Sequence, residues 1–158
     1  MKQIWYDDFL YWEPLEVGGI DKLHVSYDKL WIPDTYLDSS VEIDQSNVEH
    51  MMNVILTPKI LKDALNTSRK TTEVVLAYPA IYKGSCIMNV QYFPWDSQTC
   101  KFSFGSWTYY LEQLDYKPLV NITQLGQFIE NQEWRVRSFE AKRVEEFGTE
   151  KDLVTVIS

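Results

Sequence analysis

The chain is poor in the residues on which metal sites and thiol chemistry depend, with two cysteines and two histidines in 158 residues. A structural zinc site uses four clustered Cys or His ligands, whereas His24 and His50 lie far in sequence from Cys86 and Cys100. A catalytic cysteine has a base partner and needs no matching second cysteine. The two cysteines are therefore predicted to close a loop as a disulfide, and neither a metal nor another cofactor is expected.

Sequence patterns typical of enzymes are also absent. The chain has no Gly-x-Ser-x-Gly elbow and no glycine-rich phosphate loop. Adjacent acidic pairs such as Asp7-Asp8 would point to opposite faces of a strand and could not share a substrate. We predict that the protein is not an enzyme.

Charge and hydropathy restrict the partners further. The net charge is -8, with 23 acidic against 15 basic residues, and nucleic-acid binding needs clustered Lys and Arg, so no nucleic acid is expected. No run of about 18 apolar residues is present, and the first residues lack the apolar stretch of an export signal. We therefore expect a piece of a longer protein. Glycosylation sequons at Asn66 and Asn121 agree with an extracellular, disulfide-permissive location.

Aromatic residues are abundant at 15% of the chain, and turn residues separate short segments that alternate apolar and polar side chains. This texture predicts an all-β fold, an antiparallel β-sandwich. Strands are predicted at residues 4–12, 23–27, 30–32, 41–43, 49–56, 73–78, 85–92, 99–105, 109–114, 134–141 and 153–157.

One stretch departs from the strand pattern. Ile60, Leu61, Ala64 and Leu65 share one side of a helical wheel, and Pro58 suits a first helical turn. A short helical insertion is predicted near residues 58–65, followed by an exposed polar loop at residues 66–72.

Four motifs together point to a known family. They are Trp31-Ile-Pro-Asp34, the spaced pair Cys86 and Cys100, Phe93-Pro94-Trp95-Asp96 between them, and the segment 101–109 that ends in Trp107-Thr-Tyr109. Over residues 1–158 the chain resembles the extracellular domain of Cys-loop pentameric ligand-gated ion channels, most closely nicotinic acetylcholine receptors and soluble acetylcholine-binding proteins.

The resemblance implies a twisted β-sandwich of immunoglobulin-like topology, assembled as a homo- or hetero-pentamer that binds a small cationic or other neurotransmitter-like ligand between subunits. It implies a place on the extracellular side of the plasma membrane, held by a transmembrane domain outside this chain, and coupling of binding to channel opening. The implied coupling loop consists of Phe93, Pro94, Trp95 and Asp96. The resemblance also leads us to expect that residues 1–158 lack the family's N-terminal helix and first strand.

A ligand cage is implied around Trp107, with Tyr109 beside it. Strand alternation agrees, because Phe102 and Phe104 should point one way and Trp107 the other. Aromatic faces attract quaternary ammonium groups, but the remaining cage positions depart from the acetylcholine pattern. They fall on Asp38 and near Phe147, with Ala77 on the complementary face, so tight acetylcholine binding is not predicted. Two alternatives stay open: a secreted, soluble binding module of the acetylcholine-binding-protein kind, and a structural subunit with a degenerate site.

Overall fold

A computed structural model describes residues 1–38, 40, 52–62, 66–119, 133–144 and 154–157. Within these residues the chain forms eight β-strands and two 3₁₀ helices, Pro14–Val17 and Tyr27–Lys29. The strands are β1 (Lys2–Asp7), β2 (Leu23–Ser26), β3 (Thr35–Leu37), β4 (Asn53–Lys62), β5 (Ser68–Ala77), β6 (Cys100–Ser106), β7 (Phe139–Lys142) and β8 (Val154–Ile157). All their pairings are antiparallel. The predicted all-β class is confirmed.

The chain divides into two compact units, each with one four-stranded sheet. The first unit comprises Met1–Ile32 and Asp44–Ile81, and the second comprises Pro33–Ile43 and Tyr82–Ser158. The sheet of the first unit has the order β1-β5-β4-β2, and that of the second has the order β3-β6-β8-β7. Two antiparallel sheets are the components that a β-sandwich requires.

The core of the first unit lies on one face of its two central strands. Val54 and Leu56 from β4 and Val74 and Leu76 from β5 are buried together, as expected of alternate strand residues. Burying one side chain of this size stabilises the folded chain by roughly 1.5–3 kcal/mol. Partly buried apolar residues surround this cluster: Trp5, Leu10, Trp12, Val25, Tyr27, Leu30, Ile32, Met52 and Tyr78.

The helical insertion predicted near residues 58–65 is wrong over residues 58–62, which continue β4; residues 63–65 lie outside the described part of the chain. The ladder between β4 and β5 runs without interruption from Asn53↔Ala77 to Lys62↔Ser68. A short isolated helix is marginal unless it buries an apolar stripe, and Ile60 and Leu61 are exposed. Inter-strand hydrogen bonds to β5 therefore decide the conformation, and Pro58 is accommodated opposite Thr72.

Three predicted strands, at residues 30–32, 85–92 and 109–114, are also absent from the structure. Residues 85–92 belong to a loop whose apolar side chains are uncovered, with Ile87 and Val90 exposed. Residues 110–114 form a turn in which the amides of Gln113 and Leu114 both donate to the carbonyl oxygen of Tyr110. Alternation alone predicted these strands, but no neighbouring strand pairs with them among the described residues. The strand predicted at 41–43 lies outside the described residues.

Candidate functional site

The predicted cage residue Trp107 follows directly after β6, where the chain leaves the sheet. Gly105 and Ser106 at the end of β6 are buried, whereas the Trp107 side chain is 76% exposed. A tryptophan that is this exposed contributes little to a core and needs another explanation. The prediction that Trp107 points away from the core is confirmed.

The turn that carries Trp107 is held by the carboxylate of Asp34. One Asp34 oxygen accepts a hydrogen bond from Ser106 Oγ, and the other accepts from the Thr108 amide at 2.8 Å and from Thr108 Oγ1 at 2.6 Å. The Ser106 hydroxyl also accepts from the Tyr109 amide at 2.8 Å. These bonds satisfy the polar groups on both sides of Trp107, so the position of its backbone is fixed while its ring stays in solvent.

The electrostatics of Asp34 follow from the same contacts. Burial raises the pKa of the Asp34 carboxyl, but hydrogen bonds from Ser106 and Thr108 outweigh burial and leave the pKa below its ordinary value. Asp34 is therefore ionised at neutral pH. It adds a fixed negative charge beside the turn of Trp107, and charge-assisted hydrogen bonds of this kind are the stronger ones.

A second aromatic ring contacts Trp107, and the sequence analysis missed it. The rings of Tyr36 and Trp107 meet edge to face, with centroids 5.3 Å apart and planes at 84°, a favourable aromatic geometry. Tyr36 lies on β3 opposite Gly105 of β6. Alternation within β3 places Tyr36 on the face opposite buried Leu37, but only the register between β3 and β6 brings it to Trp107.

The other predicted ligand residues are only partly brought together. Asp38 follows β3, is exposed, and its amide donates to the Ser103 carbonyl oxygen at 2.9 Å. Because Asp38 lies two positions after Tyr36, with buried Leu37 between them, both belong to the face opposite the core. Tyr109 is half-buried. Ala77 ends β5 in the first unit and is exposed, and Phe147 lies outside the described residues.

The disulfide predicted from composition is confirmed. Cys86 and Cys100 are bonded, with their Cα atoms 5.4 Å apart, and Cys100 begins β6. The same strand therefore carries the disulfide at its first residue and leads into the Trp107 turn at its last.

Polar contacts organise the interior of the disulfide loop. The side chain of Gln98 accepts from the Asn89 amide at 3.0 Å and donates to the Asn89 carbonyl oxygen at 2.7 Å. It also donates to the carboxylate of Asp96, so Asp96 helps to organise the loop. The conformation of the loop is thus set by polar groups, and its apolar side chains are not required to hold it together.

The tip of the loop presents those apolar side chains to solvent. Phe93 is 74% exposed and Trp95 is 91% exposed, and the Phe93-Pro94 peptide is cis. A cavity of about 830 Å³ lies beside the tip. It is lined by Phe93, Pro94, Asp96, Ser97, Gln98, Glu133, Trp134, Arg135, Val136 and Arg137. Exposed clusters of large apolar residues mark surfaces that contact a partner.

Of the two predicted glycosylation sites, the structure describes one. Asn66 and Thr67 are exposed and precede Ser68, the first residue of β5. Asn66 has a backbone φ of 61°, a left-handed conformation that asparagine adopts in turns more readily than most residues. Asn121 lies outside the described residues. In the described part of the chain, no helix is long and apolar enough to cross a membrane.

Comparison with known proteins agrees with this arrangement. A family model described as the neurotransmitter-gated ion-channel ligand binding domain matches residues 1–157. An alpha-type acetylcholine receptor subunit of Caenorhabditis elegans, acr-5, is 44% identical over 146 residues, which cover 92% of this chain and 24% of the relative. The neuronal acetylcholine receptor subunit alpha-9 of Homo sapiens is 34% identical over 149 residues, which cover 94% of this chain and 28% of the relative.

A third relative has a different named ligand. The betaine receptor acr-23 of Caenorhabditis elegans is 35% identical over 144 residues, covering 89% of this chain and 25% of the relative. The chain thus spans about a quarter of the length of these curated relatives. The match over residues 1–157, together with the confirmed disulfide, shows that the chain belongs to the family of neurotransmitter-gated ion-channel ligand-binding domains.

Proposed function

We propose that this chain is the extracellular ligand-binding domain of a pentameric channel subunit, and that it binds a small cationic ligand against Trp107. The observation that carries the proposal is the exposed Trp107 ring, held edge-on by Tyr36 at 5.3 Å on a turn fixed by Asp34. A rigid, exposed indole face is the preferred binding surface for an ammonium group. Asp38 adds negative charge on the same side of β3.

The proposed site is not one that binds acetylcholine tightly. A full cage needs several aromatic faces, and the described part of the site supplies Trp107 and Tyr36, with Asp38 where the acetylcholine pattern has a tyrosine. A carboxylate attracts cations over a longer range than a ring does but does not enclose a quaternary ammonium. Phe147 is proposed as a further ring of the site and Tyr109 as part of its rim. Ala77 is proposed for the complementary face, which a neighbouring subunit would supply.

A binding titration tests the site. We expect betaine or choline to quench Trp107 fluorescence, and Trp107→Ala to weaken binding by about 30-fold, which corresponds to the roughly 2 kcal/mol of a desolvated cation–π contact. Trp107→Phe should retain part of the affinity. The matched control is Trp95→Phe, which removes an even more exposed indole from the disulfide loop. Tight acetylcholine binding by a homopentamer, or equal effects of the two Trp→Phe changes, would contradict the proposed site.

The disulfide loop is proposed to transmit binding to the channel gate. Its tip exposes Phe93 and Trp95, which suits contact with a transmembrane domain in the full-length protein. In voltage-clamped cells we expect Phe93→Ala and Trp95→Ala to reduce the maximal ligand-evoked current while the ligand affinity stays unchanged, because the loop is held by Gln98 and Asn89 rather than by its apolar side chains. Ile20→Ala, another exposed apolar change, is the control. Unchanged maximal currents in both loop variants would contradict the proposed coupling role.

Two other functions give different results in the same experiments. A secreted binding module would bind ligand but yield no current from the full-length protein. A structural subunit with a degenerate site would yield current only when coexpressed with another subunit, and Trp107→Ala would not change that current. The extracellular location, the pentamer and glycans on Asn66 and Asn121 belong to the same proposal.

A further inference from the structure

The strands β4 and β5 extend beyond the rest of their sheet. Their ladder continues to Lys62↔Ser68, whereas β2 pairs with β4 only over Asn53 to Leu56 and β1 pairs with β5 only over Thr72 to Ala77. Residues 59–62 and 66–70 thus form the distal part of a hairpin that has two strands among the described residues. We call these residues the hairpin arm.

Both faces of the hairpin arm are uncovered. Every described residue of the arm is exposed, including Ile60 at 57% and Leu61 at 37%. Successive strand residues point to opposite faces, so exposure of these two neighbours means that no described element covers either face of the arm on its β4 side. A two-stranded hairpin without further packing is only marginally stable in water, and a contact with a partner would stabilise the arm.

The two edges of the hairpin arm differ. On the β5 side, Arg69 forms an ion pair with Asp8 at 2.6 Å, and Lys70 lies 3.7 Å from Glu13 and 5.1 Å above the Tyr11 ring. These contacts tie that edge to residues 8–13. On the β4 side, the outer edge at residues 59–62 pairs with no described strand. Lys59 forms a long, partly solvent-exposed ion pair with Glu73 of β5 at 3.9 Å, and Lys62 forms no ion pair with a described residue. An open strand edge is a template for pairing with another chain.

Charge indicates what the open edge accepts. Residues 57–71 contain four basic and one acidic residue, whereas the remainder of the chain contains 11 basic and 22 acidic residues. Lysines on an edge discourage indiscriminate strand pairing but attract an acidic surface. A second copy of this chain offers such a surface, because its net charge outside the arm is strongly negative.

We propose that the β4 edge of the hairpin arm, with Lys59, Ile60 and Lys62, docks on an acidic surface of a second copy of this chain. Ile60 supplies apolar contact area, and the two lysines set the orientation and choice of partner. The inference rests on the self-association that the proposed function includes, but it needs no ligand at Trp107. The proposed ligand site and the proposed docking edge therefore succeed or fail separately.

Zero-length cross-linking tests the contact without any mutation. Protein assembled from an equal mixture of unlabelled and ¹⁵N-labelled full-length chains is treated with a carbodiimide, which joins amines to carboxylates in contact. We expect mixed-isotope peptides that link Lys59 or Lys62 to an Asp or Glu of the other chain. Cross-links at Lys59 and Lys62 that are exclusively within one chain would overturn the proposal.

A charge-reversal pair gives a second, quantitative test. Lys59→Glu/Lys62→Glu should weaken self-association in sedimentation by about tenfold, and the wild-type association should decrease as salt is added. The matched control is Lys22→Glu/Lys29→Glu, which makes the same charge change at exposed positions of the same unit. Equal self-association of the two double variants would contradict the docking edge, and ligand titration of each variant shows independently whether the Trp107 site is intact.

Discussion

Substitution of Asp34 should destabilise the candidate site more than any other single change, because its carboxylate accepts three hydrogen bonds at the Trp107 turn. Asn at this position keeps one acceptor oxygen and loses the charge. We expect Asp34→Asn to lower the free energy of unfolding by about 2 kcal/mol, a typical loss for hydrogen bonds to a charged group. Urea denaturation measures the change. Asp21→Asn, at an exposed position, is the control and should be nearly neutral.

The same carboxylate predicts a pH dependence. Its pKa is lower in the folded chain than in the unfolded one, so its contribution to stability is complete above the unfolded value of about 3.9. The contribution is lost as the pH falls through the lower folded pKa. In Asp34→Asn this part of the acid destabilisation should be missing. An identical pH profile for wild type and variant would contradict the assignment.

At this scale the sequence is informative where a motif fixes a side chain and uninformative where a partner comes from another strand. The exposed position of Trp107 followed from motif and strand parity. Tyr36 did not, because its contact with Trp107 depends on the pairing of β3 with β6. Such a cross-strand contact requires the register, which alternation within one segment cannot supply.

The hairpin of β4 and β5 is the element on which the first unit depends. Leu76 is buried in its core and Ile60 is exposed on its distal part, so the same kind of truncation should have different effects along one hairpin. We expect Leu76→Ala to lower the free energy of unfolding by about 2–5 kcal/mol. Ile60→Ala should change it by no more than about 0.5 kcal/mol. Urea denaturation measures both changes. Comparable losses at the two positions would mean that the distal part of the hairpin is packed in the isolated chain.

The same hairpin shows why element type was mispredicted here. The helical wheel of residues 58–65 and a strand continuation are both compatible with the local sequence, and Pro58 fits the first turn of a helix. The ladder with β5 decided between them, and that ladder is a contact between residues up to 24 positions apart, Asn53↔Ala77. Local periodicity cannot weigh such a pairing, whereas the core strands around Val54 and Val74 were predicted because burial reinforces their pattern.

For the whole molecule, the sequon at Asn66 connects cellular location with the hairpin arm. If the chain faces the extracellular side, Asn66 should carry an N-linked glycan, because it is exposed beside the first residue of β5. We expect Asn66→Gln and Ser68→Ala each to remove one glycan, seen as a mobility shift that matches enzymatic deglycosylation of that site.

Asn53→Gln controls for this experiment, because Asn53 is exposed but has no sequon. A glycan at Asn66 is compatible with docking through the β4 edge, since Asn66 leads into β5, the other strand of the arm. Loss of the glycan should therefore leave the Lys59 and Lys62 cross-links in place. An unmodified Asn66 in protein secreted from animal cells would argue against the extracellular assignment of this segment.

The bonds of Asp34 also determine when the ligand surface can exist. They join positions 72 and 74 residues apart in the chain, and the ring that supports Trp107 comes from the strand beside Asp34. During synthesis, the Trp107 turn therefore cannot adopt its final form until both distant segments have left the ribosome and closed the intervening loop, a slow, non-local step. No short peptide around Trp107 would reproduce the binding surface, because the residues that shape it are supplied from the first quarter of the chain.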